Sequence, residues 1–300
     1  MSTEPNAQPN AQPSPAPQPS AASKYKSALK PIWCPGCGDF GVLNAVYNAL
    51  NQLGLPTHKV AIVSGIGCSS RLPGYVRCYG INTLHGRAFP IATGVKLGNP
   101  ELTVIVTGGD GDGISIGGNH LLHSARRNLD VTYIMMDNQI YGLTKGQASP
   151  TSQQGQMTST TTKGNWEDPI EPVSLALGIN ASFIARGFSG DLKHLTKLIV
   201  AGIQHKGFSF LTVRSPCVTY TRTTYKELQE KVVYLENNAS YDPSDRFAAM
   251  KVAQDTEHLH LGVIYRNQRL SYLERLGNLA DTLSEGKTRK VEDAVEEYVA

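Results

Sequence analysis

Two stretches constrain this chain more than any other feature: TGGDGDGISIGG, Thr107 to Gly118, and MMDNQIYG, Met135 to Gly142. Each begins where an apolar, β-branched run stops, the first closing LTVIVTGG and the second closing DVTYIMMDN. Such runs read as buried strands, so Asp110 and Asn138, 28 positions apart, are carried at two strand ends. A carboxylate and an amide carbonyl give Mg²⁺ two oxygen ligands and leave positions for phosphate oxygens, the usual way this ion is held in phosphate sites. The expected ligand therefore carries a diphosphate.

The surrounding segments alternate in the same manner. Residues 38–54 have apolar positions at helical spacing, 59–67 read as a strand closed by glycines, 89–98 as a helix, 102–113 as a strand entering a glycine loop, 117–128 as a helix and 130–138 as a strand. A polar Ser/Thr/Gln-rich stretch over 144–163 is followed by a helix at 169–178, a strand at 181–186, a helix at 191–204 and a strand at 209–213. Apolar strands alternating with helices predict an α/β fold, a doubly wound parallel sheet covered on both faces. Sheets of this kind bind ligands beyond the carboxyl ends of their strands, where Asp110 and Asn138 fall.

This unit is expected to span residues 24–216. Residues 1–23 are rich in Pro, Ala and Gln with almost no bulky apolar groups, and are expected to be disordered. Residues 217–300 are more charged and read as a C-terminal extension or arm, ending in an amphipathic helix that either covers a partner or is merely solvated. A formal net charge of +3 without a Lys/Arg run argues against nucleic acid. The chain shows no apolar run of membrane-spanning length, no signal-peptide core and no arginine-rich leader, so a soluble, cytoplasmic protein is expected.

The chain has five cysteines, an odd number, and a disulfide framework is not expected in a chain of this kind. WCPGCG sets Cys34 and Cys37 in a Pro/Gly turn, GIGCSSR places Cys68 after a strand, and RSPCVTY places Cys217 after the last strand of the α/β pattern. Four thiolates from three turns are what an iron-sulfur cubane needs. A redox dithiol, a tetrathiolate zinc site and plain buried cysteines are the alternatives. The cluster is favoured because Cys68 lies in the glycine loop that should also face the diphosphate, where an electron acceptor has a use and a structural zinc has none. Cys78 has no partner in these turns and is expected to be buried and inert.

The Gly-Asp-Gly opening, the span of about thirty residues and the closing Asn resemble the thiamine-diphosphate motif, whose cofactor stabilises carbanions. More widely, WCPGCG, GIGCSSR, LHGRAFPIATG, GGDGDG, DNQIYGLTKGQASPT and SPC resemble the β subunit of two-subunit 2-oxoacid:ferredoxin oxidoreductases over about residues 24–269. The resemblance implies the thiamine-diphosphate-binding variety of the α/β fold. It implies one 4Fe-4S cluster held by Cys34, Cys37, Cys68 and Cys217, and Mg²⁺ held by Asp110, Asn138 and the carbonyl of Ile140. It also implies thiamine diphosphate against Ile66, Gly67, Cys68, Ser69, His85, Gly111, Asp112, Gly142 and Leu143. From the residues alone, His85 also reads as a core histidine and Asp112 as a helix cap.

The implied reaction is oxidative decarboxylation of a 2-oxo acid to acyl-CoA, with electrons passed through the cluster to a ferredoxin, or the reverse carboxylation when the ferredoxin is sufficiently reducing. The glutamate that activates the cofactor is expected on a partner α subunit, in an α2β2 assembly. Arg71, three residues after Cys68, is expected to fork onto a second substrate carboxylate, and Lys145 to steady a carboxylate or the developing charge near the thiazolium; plain surface arginine and lysine are the alternatives. Arg71 with Leu143 favours 2-oxoglutarate, with pyruvate or a broad range of 2-oxo acids as the alternative. Two further readings compete: a thiamine-dependent decarboxylase or carboligase whose cysteines hold zinc, and an iron-sulfur carrier without catalysis.

Overall fold

The computed structural model describes residues 24–221 and 223–277; the expected disordered tail and C-terminal helix lie outside them. Its elements are α1 (Asp39–Gln52), β1 (Val60–Ser64), α2 (Leu72–Tyr75), β2 (Tyr79–Asn82), α3 (Ala88–Gly98), β3 (Thr103–Gly109), α4 (Gly118–Arg127) and β4 (Val131–Asp137). They continue with α5 (Pro172–Gly178), β5 (Phe183–Phe188), α6 (Leu192–Gln204), β6 (Phe208–Arg214), α7 (Tyr225–Glu230), β7 (Val232–Tyr234), α8 (Arg246–Ala253) and β8 (Leu259–Arg266). One eight-stranded sheet forms in the order β2-β1-β3-β4-β6-β5-β8-β7. From β2 to β5 every pairing is parallel, and β8 joins β5 antiparallel.

Strands β1, β4 and β5 are buried along their whole length, as continuous apolar runs in a doubly covered sheet must be. One core layer packs α3, α4, α5 and α8 on the sheet, with Phe89, Leu121, Phe208 and Phe210 fully enclosed. The opposite layer packs α1 and α6, with Val46, Leu50, Ile62, Leu195 and Ile199. Each large apolar side chain so enclosed contributes about 1.5–3 kcal/mol.

The structure departs from the sequence reading in three places. The glycine loop expected after the strand is not irregular: β3 stops at Gly109, and Gly111–Ile116 wind into a π-helical turn. That turn passes so close to two tyrosines that a Cβ on Gly111 would collide with Tyr141 Cε1, and one on Gly113 with the Tyr133 hydroxyl. The glycines are there for close approach and not only for flexibility. Strand β2 was not expected, because it is a four-residue edge strand, three of whose residues, including Gly80 and Asn82, are exposed. Finally, the residues read as an arm supply β7 and β8, and Leu261, Ile264 and Tyr265 enter the core. Their charged neighbours lie in exposed turns, which is what obscured the strand.

Asn128 holds this last segment in place. It caps α4 in the left-handed region at φ 56° and is fully buried. Its Oδ1 accepts from the Ser182 hydroxyl at 2.6 Å and the Phe208 N–H at 2.9 Å, while Nδ2 donates to the Arg269 carbonyl at 3.0 Å. Asn128→Ala strands buried donors and forces a β-carbon residue without local hydrogen bonding into the left-handed region, so stability should fall by about 3–5 kcal/mol. Urea unfolding of the variant measures this, and a loss below about 1 kcal/mol would remove Asn128 from the role.

Candidate active site

Reading across the sheet, β1, β3, β4 and β6 are consecutive neighbours, and each carries a functional loop at its carboxyl end. The chain passes from β1 outward to β2 and then crosses back to β3, so the sheet's switch point, the favoured crevice for a ligand, lies between β1 and β3. The cleft there is lined by Ile66, Gly67, Cys68 and Ser69 after β1, His85 after β2, Asp110 to Asp112 after β3, and Asn138, Ile140, Gly142 and Leu143 after β4. Every residue that the resemblance implied for the diphosphate cofactor and its Mg²⁺ is brought to this one cleft.

Asp110 is 1 % exposed. The Thr151 hydroxyl donates to its Oδ2 at 2.7 Å and lies 3.0 Å from Asp137 Oδ1, linking the two carboxylates. Burial, and then the Asp137 charge, push the Asp110 carboxyl up to about 7. Asp137 is balanced by Arg214 at 2.8 Å; Asp110 has no cationic side chain among the described residues. An enclosed carboxyl under that pressure, with Asn138 Oδ1 oriented by the Ile140 N–H at 3.0 Å, is a donor set that a hard divalent cation fits.

Asp112 does not cap a helix. Its Oδ1 accepts from the Ile66 N–H at 3.0 Å and the Gly86 N–H at 2.8 Å and lies 2.6 Å from His85 Nδ1. It therefore fastens the β1 and β2 loops to the π-turn and orients the imidazole, whose side chain remains 37 % exposed. The Tyr141 hydroxyl donates to the Gly111 carbonyl at 3.0 Å, closing the cleft floor.

The cysteine turns meet next to the cleft. The Gly38 N–H donates to the Pro216 carbonyl at 3.1 Å, and Trp33 Nε1 donates to the Cys68 carbonyl at 2.7 Å, so the Cys34–Cys37 turn is bound to both other cysteine loops. The sulfurs of Cys68 and Cys217 lie 3.6 and 3.7 Å from where a Cβ on Gly142 would stand, which puts Gly142 between the cleft and the thiols. Burial, the Asp39 carboxylate and Cys217 push Cys68 up to about 11, and burial and Asp39 drive Cys37 higher still. Among the described residues no three of these sulfurs lie within 4.8 Å of one another. Cys78 stands apart on the edge, half-buried, pushed up to about 12 by burial.

Arg71 and Lys145 are exposed and lie outside the cleft lining; Arg71 is near enough to Cys68 to favour its thiolate, and Lys145 has a left-handed φ of 79°. The sequence reading missed Thr151, Asp137, Arg214 and Tyr141. Only the Ser-Pro-Thr of the loop hinted at Thr151, since nothing in its neighbourhood points to a carboxylate 41 positions away.

Fold and cleft together define a thiamine-diphosphate-binding α/β subunit, and residues 65–213 match the family described as thiamine pyrophosphate enzyme, C-terminal TPP binding domain. Residues 217–281 match the family described as the C-terminal part of the pyruvate ferredoxin oxidoreductase beta subunit. The chain is 43 % identical over 264 residues to 2-oxoacid:ferredoxin oxidoreductase 2, subunit beta, of Aeropyrum pernix, covering 84 % of this chain and 85 % of that one. It is 46 % identical over 199 residues to the 2-oxoglutarate oxidoreductase subunit KorB of Mycobacterium tuberculosis, covering 66 % and 53 %. A solved 2-oxoglutarate:ferredoxin oxidoreductase from Magnetococcus marinus, with 2-oxoglutarate, coenzyme A and succinyl-CoA bound, superposes with a TM-score of 0.87 at 39 % identity, covering 93 % of this chain and 96 % of that chain. The chain belongs to the β subunits of the 2-oxoacid:ferredoxin oxidoreductases. No helix among the described residues is long and apolar enough to cross a membrane.

Proposed function

We propose that this β subunit, working in the cytoplasm with an α subunit in an α2β2 assembly, oxidatively decarboxylates 2-oxoglutarate to succinyl-CoA and passes the electrons to a ferredoxin. The observation that carries the reading is the β1 loop, which presents Ile66, Gly67 and Ser69 to the cleft and Cys68 to the other thiols. Asp110, Asn138 and the Ile140 carbonyl would hold Mg²⁺ on the diphosphate, and the loop N–H groups of 67–69 and 111–112 would face its phosphates. When bound, thiamine diphosphate supplies the carbanion-stabilising centre that makes loss of CO₂ from a 2-oxo acid feasible.

Cys34, Cys37, Cys68 and Cys217 would hold the 4Fe-4S cluster, a one-electron acceptor. Iron is favoured over zinc because Cys68 lies in the loop that lines the cofactor cleft, where an electron acceptor has a use and a structural zinc has none. The glutamate that activates the cofactor belongs to the α subunit in this reading.

The names of the Mycobacterium and Magnetococcus relatives support 2-oxoglutarate as substrate. Arg71 is proposed to reach the distal carboxylate from the rim and Lys145 to steady charge near the reacting carbon. Co-expressed α and β chains, purified anaerobically, should be brown, release thiamine diphosphate and Mg²⁺ on denaturation, and reduce ferredoxin with 2-oxoglutarate and coenzyme A. A colourless zinc protein or the absence of released cofactor would overturn the proposal, and equal turnover of pyruvate would replace 2-oxoglutarate specificity with a broad range. Arg71→Ala should raise KM for 2-oxoglutarate about tenfold or more, the effect of losing a charge-assisted contact of ~1.5–3 kcal/mol, and leave KM for pyruvate unchanged. Equal shifts for both acids would remove Arg71 from substrate selection.

A further inference from the structure

Away from the cleft, the turn after α8 and the first residues of β8 bring together Asp255, His258 and His260. The two histidines are two apart along an extended segment and so share a face. Asp255 Oδ1 accepts the backbone N–H groups of Glu257 at 2.9 Å and His258 at 3.2 Å, which fixes the carboxylate in place. Its Oδ2 then lies 3.1 Å from His258 Nδ1 and 2.7 Å from His260 Nε2. One ligand atom from each residue falls within 4.8 Å of the other two, and no other three His, Cys, Asp or Glu side chains do so among the described residues.

The chemistry of this group is specific. The imidazoles hold Asp255 well below the usual carboxylate range, so it is ionised at neutral pH. Two imidazole nitrogens and one carboxylate oxygen suit a borderline transition ion such as Zn²⁺, and suit Mg²⁺ poorly. The His258 side chain is 55 % exposed, which gives an ion a route in from solvent. Asp255 and His258 also line a cavity that reaches the Arg186–Glu171 and Arg214–Asp137 pairs and Thr151.

We propose that Asp255, His258 and His260 form a site for a divalent transition metal, with three protein ligands and a remaining position open to water or a small anion in the adjoining cavity. A bound ion replaces the two hydrogen bonds to Oδ2 and ties the turn after α8 to the first residues of β8. This site is separate from the active-site assignment and does not depend on it.

The test uses the αβ complex loaded with its iron, thiamine diphosphate and excess Mg²⁺, dialysed against Co²⁺ and counted by elemental analysis, with Zn²⁺ as competitor. One Co²⁺ per β chain, displaced by Zn²⁺, is expected in the wild type. His258→Ala, at an exposed position, should weaken binding by more than the roughly 10–100-fold that outer-shell changes cost, and Asp255→Asn should weaken it as well. Unchanged Co²⁺ binding in His258→Ala, or none in the wild type at micromolar ion, would overturn the proposal. Circular dichroism of each variant separates ligand loss from misfolding.

Discussion

Asp110→Ala is expected to cost this subunit its Mg²⁺ and, with it, its hold on thiamine diphosphate. The carboxylate is enclosed, and the structure gives it a neighbouring anion, Asp137, instead of a cation. A divalent ion is therefore its natural counter-charge, and removing one member of a buried charge pair costs about 3–5 kcal/mol, between about a hundredfold and a few thousandfold in affinity. Cofactor content after gel filtration measures the loss, and wild-type retention would end the assignment of Asp110.

The pH dependence has a definite sign. Because the folded-state carboxyl lies near 7 against an ordinary 3.8, the metal-free protein holds an extra proton there, and the stability this contributes is lost as pH rises through about 7. Mg²⁺ must displace that proton, so its affinity should tighten by up to about tenfold per pH unit below 7 and level off above. Asp110→Asn removes the charge conflict: it should raise the Tm of the metal-free protein at pH 8 while weakening Mg²⁺. Calorimetry at pH 6, 7 and 8 gives both, and a flat Mg²⁺ profile would contradict the burial argument.

Cys217→Ser should bleach the protein. The Cys217 sulfur shares with Cys68 the space beside Gly142, and serine keeps the volume while replacing a soft sulfur ligand with a hard oxygen. Iron content should fall and ferredoxin reduction drop by about two orders of magnitude or more, an added barrier of at least about 2.7 kcal/mol. Thiamine diphosphate should remain, since its Mg²⁺ ligands are untouched. Cys78→Ser, made at the one cysteine outside the convergence, should keep full iron. If both variants keep it, the thiols are not a cluster site.

These expectations rest unevenly on sequence and on structure. The strand-then-glycine segments ending at Gly67, Gly109 and Asn138 were readable because a buried parallel strand is continuously apolar and its terminal loop must be tight. Strand β8 was not, since its burial depends on meeting β5 from a distant part of the chain, and the short, partly exposed β7 forms only by pairing with β8. His85 illustrates the limit within the site: the motif placed it near the cofactor, but its orientation comes from Asp112, 27 residues later.

The linear order of residues by itself determined the chemistry available: an acidic glycine turn, an asparagine after a strand, and four thiols in three turns. Tertiary structure alone decided that Thr151 ties Asp110 to Asp137, that Gly142 divides cleft from thiols, and that Arg71 and Lys145 stand at the surface. The physical reason is range. Strand formation and turn tightness follow from neighbours a few positions away, whereas burial, charge conflict and hydrogen-bond pairing depend on groups tens of residues apart that only the folded sheet brings together.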